Sequence, residues 1–125
     1  MTPSCIFCSP ESLGIVAKND LAVAFRDGFP VSPLHTLVIP RRHVADLFDL
    51  TPEEVQACMD LLFSVRSEIL STDSSITGFN VGVNVGTDAG QTILHCHLHL
   101  IPRRAGDVDE PIGGVRNVFP GKGSY

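Results

Sequence analysis

Across residues 93–101 the chain alternates, with Leu94, Cys96, Leu98 and Leu100 on one side and Ile93, His95, His97, His99 and Ile101 on the other. A period of two marks a strand with one face in a core, so the segment predicts a strand whose apolar side is covered and whose other side carries three of the chain's five histidines. Buried imidazoles without partners would cost about 1–3 kcal/mol each. A merely solvated face would more usually carry Lys, Glu or Thr than three groups that titrate near neutrality. The row is therefore read as a ligand site. Neighbouring rings on a regular strand stand about 6.6 to 6.8 Å apart, twice the rise per residue, which suits one long anionic ligand.

The 125 residues are room for one ordinary domain, and 43% hydrophobic content with a mean hydropathy of +0.19 supplies a core. No repeat or low-complexity linker interrupts the first hundred residues. Residues 14–18 and 21–26 predict a hairpin turning at Asn19-Asp20, a pair that tolerates left-handed geometry. Residues 36–39 form a short β-branched run closed by Pro40, and 44–50 hold one helical turn or two. The clearest helix starts at Thr51-Pro52-Glu53-Glu54, where Thr51 caps, Pro52 takes the first helical position and Glu54 completes a capping box. It is expected to run to about residue 70, with Val55, Cys58, Met59, Leu62, Val65 and Ile69 on one stripe flanked by Leu61 and Phe63. That width fits either a thick core contact or a helix shared with a second subunit. After a loop at 71–76, Phe79, Val81, Val83 and Val85 predict the core face of a strand, with Asn80, Gly82, Asn84 and Gly86 on its bare face.

A net charge of −5 gives no broad basic field for nucleic acid or an anionic membrane. No apolar run approaches the ~20 residues of a membrane span, and Met1-Thr2-Pro3-Ser4-Cys5 shows neither a basic nor an apolar leader region. The expectation is a cytoplasmic protein. There a Cys-x-x-Cys at Cys5 and Cys8 reads better as a metal site than as a disulfide. Residues 84–92, with Asn84, Gly86, Gly90, Gln91 and Thr92, bring mobile backbone amides and uncharged donors one connection before the histidines, which describes a phosphate site made of dipoles and imidazoles. A neutral imidazole can attack phosphorus and form a phosphoramidate-linked intermediate that water later cleaves, and the middle ring, His97, is the natural nucleophile.

The run His95-Cys96-His97-Leu98-His99-Leu100-Ile101 resembles the signature of the histidine triad (HIT) superfamily, and Phe25-Arg26-Asp27, His35 through Pro40, Arg42-His43 and Asn84 through Thr92 resemble its other blocks in order, so the resemblance covers residues 5 to 104. It implies an α+β domain over residues 1–104 with about five mainly antiparallel strands, one short and one long helix, and a homodimer in which the long helix takes part. It implies that His97 takes the nucleoside 5′-phosphoryl group, that His99 contacts phosphate, and that Gln91 and Thr92 hold phosphate oxygens or the leaving group near Asn84 and Gly90. Asp27 would accept from the ribose hydroxyls, Phe7, Phe25 and Leu37 would line the base pocket, and His35 would stand behind the row. One branch carries a structural zinc, here on Cys5, Cys8, His43 and His95; four protein ligands leave no open position for water. The implied activity is nucleotide hydrolysis or transfer, foremost on dinucleoside polyphosphates such as diadenosine tetraphosphate. A nucleoside phosphoramidate hydrolase and a nucleotide-binding module without turnover are the alternatives. The family usually has Gly before the first of these histidines, and Leu34 stands there instead, so the turn entering residue 36 is expected to differ. Residues 105–125, rich in Gly, Pro and charge, are expected to be a solvated arm, with Arg116 or Lys122 reaching leaving-group phosphates as the functional alternative.

Overall fold

The computed structural model describes residues 5–124; the reading of Met1–Ser4 as lacking a leader lies outside the described residues. Five strands, β1 (Ile15–Lys18), β2 (Ala22–Arg26), β3 (Thr36–Pro40), β4 (Ile76–Val83) and β5 (Leu98–Arg104), form one sheet in the order β1-β2-β3-β5-β4, every neighbouring pair antiparallel. One long helix, α1 (Pro52–Thr72), lies across it. The short helix is a single tight turn, Leu47–Asp49, capped by the Asp46 side chain. This is the α+β architecture the sequence implies. Among the described residues no helix is long and apolar enough to cross a membrane.

The sheet is covered on both faces where β2 and β3 run. Ala22, Ala24 and Val38 meet Ala57, Cys58, Leu61, Val65 and Ile69 of α1 in one cluster, and the small strand residues let the helix sit close. On the opposite face Val23, Phe25, Leu37 and Ile39 pack under Phe7, with Leu13 beside them. The N-terminal segment thus acts as a second, thin layer. Cys58 and Cys96 are core residues, their thiols pushed up to about 12 and about 11 by burial.

Several expectations shift. The hairpin turn does not use left-handed geometry at Asn19-Asp20; instead the Asn19 side-chain oxygen accepts from the N–H groups of Leu21 and Ala22, which closes the turn in ordinary backbone. The buried stripe of α1 is Glu54, Ala57, Cys58, Leu61, Leu62, Val65 and Ile69, while Val55 (37% exposed) and Phe63 (71%) face out. The strand expected around residues 79–85 starts at Ile76 and ends at Val83, and Val81 on this edge strand is half-exposed rather than core. In the turn entering residue 36, Leu34 itself adopts the left-handed conformation, at φ +72°, among the described residues the one position outside glycine to do so. A bulky side chain pays roughly 1–2 kcal/mol for that geometry, against which Leu34 packs on the helix-side cluster.

Glu54 is buried because its charge is matched. Its oxygens accept from Arg42 at 2.7 and 3.0 Å and from the Thr51 backbone N–H at 2.9 Å, while the Thr51 hydroxyl accepts from the Glu54 N–H. The Arg42 guanidinium and the helix cap hold the carboxyl down at about 2 from its ordinary 4.5. A carboxyl with a lower pKa folded than unfolded contributes stability above its unfolded value, and that contribution disappears as pH falls through the folded value. Denaturant titrations are therefore expected to show stability falling between pH 4.5 and about 2, with Glu54→Gln less stable at pH 7 and flatter across that window. Parallel pH profiles for the two proteins would show that this pair does not set the slope.

Candidate active site

The alternation at residues 93–101 is only half a strand. β5 begins at Leu98, and residues 93–97 bend away as irregular chain, with the Cys96 N–H donating to the carbonyl of Val44 at 2.6 Å. The three histidines therefore do not form an even, open row: His95 is fully buried, His97 is 8% exposed, and the rings of His97 and His99 stand 5.3 Å apart. Each ring has its own partner, which removes the penalty that unpaired burial would carry.

His95 is drawn toward the N-terminal segment. Its Nδ1 lies 3.6 Å from Cys5 Sγ, 3.7 Å from Cys8 Sγ and 3.3 Å from His43 Nδ1, and Cys8 Sγ lies 3.2 Å from His43 Nδ1. All four donor atoms fall within 4.8 Å of one another. The edges of a tetrahedron with sulfur about 2.3 Å and nitrogen about 2.0 Å from its centre run roughly 3.3 to 3.8 Å, so these four separations, 3.2 to 3.7 Å, come close to those of a tetrahedral S₂N₂ site. His95 Nε2–H donates to the Pro40 carbonyl at 2.8 Å, which leaves the Nδ1 lone pair aimed into the cluster. Metal-bound imidazoles are oriented in this way. Desolvation and the adjoining Cys5 sulfur hold the Cys8 thiol above its ordinary value. Burial chiefly lowers His95, with His43 and His97 pushing the same way. Two thiols and two imidazoles crowded together this way can hold a metal ion.

His97 is fixed by the backbone of His95. Its Nδ1 lies 2.8 Å from the His95 carbonyl oxygen, which only accepts, so Nδ1 carries the proton and Nε2 the lone pair. The Phe7 ring stands edge-on at 5.2 Å and 75°. A second chain of bonds sets His99. The Val31 N–H donates to His35 Nδ1 at 3.2 Å, so His35 Nε2–H donates to His99 Nδ1 at 2.9 Å, which leaves His99 Nε2 as the protonated nitrogen. Burial chiefly lowers both His35 and His99, which favours the uncharged ring at each. Asp27 Oδ2 lies 3.5 Å from His35 Nε2, and Asp27 Oδ1 accepts from the Phe29 N–H at 2.8 Å.

The rings open on a cavity of about 410 Å³ lined by Phe7, Phe25, Asp27, Leu37, Asn84, Gly90, Thr92, His97 and His99. Leu13, Ile6, Phe29 and Ile93 also line it, and these were not anticipated from the sequence. Phe29, 92% exposed, could have been found from its place two residues after Asp27, whose side chain bonds its N–H. His35 stands behind His99 rather than in this cavity. Gln91 is absent from the lining too: it is buried, its Nε2 donates to the carbonyls of Ala45 and Ile93, and its Oε1 accepts from the Gly86 N–H. All its bonds stitch the loop whose Gly90 and Thr92 face the cavity. The cavity holds no unpaired cation among the described residues, since Arg26 at its edge bonds Thr36 and both oxygens of Glu68. What it offers an anion is imidazole N–H, with the Thr92 hydroxyl and the Asn84 carboxamide among the lining side chains.

Arg116 does not reach this cavity. Its Nε donates to the Lys122 carbonyl within the arm, which carries a tight turn, Gly114–Val118, beside β4 while most of its residues stay exposed. Substituting any side chain at Gly113 would overlap the Gly123 backbone, so the arm closes on itself.

The family model for the HIT domain matches residues 12–106. The bis(5'-nucleosyl)-tetraphosphatase [asymmetrical] of Schizosaccharomyces pombe is 40% identical over 103 residues, 81% of this chain and 55% of that protein. The AP-4-A phosphorylase of Mycobacterium tuberculosis is 35% identical over 103 residues, 81% of this chain and 52% of that protein. The chain thus spans about half the length of each of these two named relatives. A solved Zn-bound histidine triad family protein from Mycobacterium smegmatis superposes with a TM-score of 0.76 at 33% identity, covering 83% of this chain and 78% of that one. With its triad, its sheet order and a family match across three quarters of its length, the chain belongs to the HIT domain family.

Proposed function

We propose that the protein is an enzyme that transfers a nucleotidyl group from a dinucleoside polyphosphate, of the diadenosine tetraphosphate kind, to His97 and then to water. The observation that carries this reading is the His97 tautomer: the His95 carbonyl holds the proton on Nδ1 and leaves Nε2 as a lone pair at the cavity. Attack by Nε2 forms a nitrogen–phosphorus bond as the anhydride bond breaks, and the leaving oxygen takes the electron pair. The imidazole becomes cationic in that step, and its Nδ1–H bond to the carbonyl strengthens as the charge develops. His99 Nε2–H donates to a phosphate oxygen, while Gly90 and Thr92 bound the phosphate on the other side. Asp27 Oδ2 accepts from the ribose hydroxyls, and Phe7, Phe25 and Leu37 enclose the base. Asn84 lies at the phosphate end. Gln91 shapes the loop and His35 sets the His99 tautomer, so both are positioning residues. Water then attacks phosphorus, the nitrogen–phosphorus bond breaks with its electron pair returning to His97 Nε2, and the water's proton passes to solvent as the nucleoside monophosphate leaves.

The name of the S. pombe relative supports the substrate class and hydrolysis. That of the M. tuberculosis relative supports a second reading, in which phosphate replaces water as the acceptor. A nucleoside phosphoramidate presents the same nucleotidyl half and serves as an alternative substrate. We further assign a structural zinc to Cys5, Cys8, His43 and His95. It fits the tetrahedral separations, and the M. smegmatis neighbour is Zn-bound. A bound zinc would supply a fixed crosslink from the N-terminal segment to His95 and no open position for chemistry. Cys5 and Cys8 must stay reduced to serve, which agrees with the cytoplasmic expectation. The outward Val55 and Phe63 of α1 offer an apolar surface to the expected homodimer.

His97→Ala is expected to lose turnover of diadenosine tetraphosphate by on the order of 10³-fold or more while still binding nucleotide. Acid quench of the native enzyme should trap nucleotide on His97. Full turnover by the variant would remove covalent catalysis. Elemental analysis of the purified protein is expected to give about one zinc per chain, and His43→Ala to lower Tm by roughly 5 °C or more. Metal-free protein with an unchanged Tm in the variant would exclude the zinc assignment.

A further inference from the structure

The loop between β2 and β3 displays an aromatic ring that takes no part in folding. Phe29 is 92% exposed, the highest value for a large hydrophobic side chain among the described residues. On a loose loop a lone apolar residue in water would mean little, but this loop is held along its length. The Asp27 N–H donates to the His35 carbonyl at 2.9 Å, the His35 N–H to the Ser32 carbonyl at 3.1 Å, and the Ser32 hydroxyl to the Pro102 carbonyl at 2.8 Å. Phe29's own N–H donates to Asp27 Oδ1 at 2.8 Å, and the Val31 N–H donates to His35 Nδ1 at 3.2 Å. Pro30 between them has a fixed φ and keeps Phe29 out of the helical region. The backbone at Phe29 is thus placed by Asp27 and His35, while the ring is left in water. Gly28 lines the same cavity as Phe29. It sits in ordinary backbone, and a Cβ there would meet nothing within 4 Å. The turn does not demand a glycine, and what the missing side chain leaves is room beside the Phe29 ring.

We propose that Phe29 is a base-selecting residue, whose ring turns across the space above Gly28 and stacks on the nucleobase from the solvent side. The proposal rests on the reading of this cavity as a nucleotide site and adds what chooses between bases there. The buried side chains assigned to the base, Phe7, Phe25 and Leu37, offer it no hydrogen bond. Phe7 and Phe25 already pack on each other, their ring centroids 5.3 Å apart at 59°, whereas both faces of Phe29 are open. Selection then depends on stacked area rather than on reading polar edges. Stacking accepts every base because every base has a π-face, but a purine presents a larger face than a pyrimidine. A second ring in the stack therefore favours adenine and guanine. The carboxylate assigned to the ribose hydroxyls, Asp27, is also the one that holds the Phe29 N–H, so the ring is set in register with the sugar that carries the base.

The test is calorimetric binding of adenosine 5′-monophosphate, uridine 5′-monophosphate and ribose 5-phosphate to the full chain. In Phe29→Ala the Kd for the adenine nucleotide is expected to rise about tenfold, that for the uracil nucleotide to rise less, and that for ribose 5-phosphate to stay within about twofold. Phe29→Leu, apolar but without a ring face, should behave like the alanine variant, and Phe29→Tyr like the native protein. The chain contains no tryptophan, so Phe29→Trp supplies a single reporter at this position. Adenosine monophosphate should quench its emission, and ribose 5-phosphate should not. An unchanged Kd for adenosine monophosphate in Phe29→Ala, an equal rise for all three ligands, native affinity in Phe29→Leu, or emission that the nucleotide leaves unaltered would each overturn the stacking role. Weaker binding together with a changed sedimentation coefficient would assign Phe29 to contact with a second copy and overturn it too. A native chain that binds none of the three ligands overturns the nucleotide reading, and the stacking role with it; a native chain that binds them with affinities indifferent to Phe29 loses the stacking role alone.

Discussion

A single backbone carbonyl organises the site. The oxygen of His95 lies 2.8 Å from His97 Nδ1, and the ring of the same residue reaches into the Cys5, Cys8 and His43 cluster. One residue thus faces two ways, its side chain toward the N-terminal segment and its main chain toward His97, the nucleophile we propose. Rotating that peptide by a few tens of degrees would release the Nδ1 proton's acceptor and let the other tautomer form, with the lone pair pointing away from the cavity. The Pro40 carbonyl, which accepts from His95 Nε2–H at 2.8 Å, prevents this from the end of β3. The ordering runs from β3 through His95 to His97 without using any charged group.

That absence of charge is general in the site. Four arginines near the sheet are matched to carboxylates, Arg26 to Glu68, Arg42 to Glu54, Arg103 to Asp107 and Arg104 to Asp73. Imidazoles and amides are left to meet an anion. A chain with a net charge of −5 gains little from long-range attraction of a polyphosphate. Recognition then depends on aligned short-range donors, whose placement is set by folding before the ligand arrives.

Much of this was legible in the sequence because the signals are local. Thr51 through Glu54 read as a capping box and form one; the β-branched run at 36–39 reads as a strand and is one. Cys5, Cys8, His43 and His95 were collected by resemblance, and the structure brings them together. The misreadings have non-local causes. Residues 93–97 alternate like a strand, yet the chain there must turn His95 to the N-terminal cysteines, and its Cys96 N–H is taken by Val44 rather than by a strand. Gln91 reads as a donor for phosphate, and only the folded loop shows its amide bonded to three backbone groups. The stripe of α1 rotated because Arg42, outside the helix, allows Glu54 to be buried.

Phe7 sits between Cys5 and Cys8 in the chain, and its ring both contacts His97 and lines the cavity on which His97 and His99 open. An ion gripped by those cysteines and a base resting on that ring would therefore share one short loop, and the free energy of ordering it is common to both. Thermodynamic reciprocity then requires each guest to tighten the binding of the other by the same factor. A base held on that ring would deepen the hold on the ion, and loss of the ion would weaken the hold on the base.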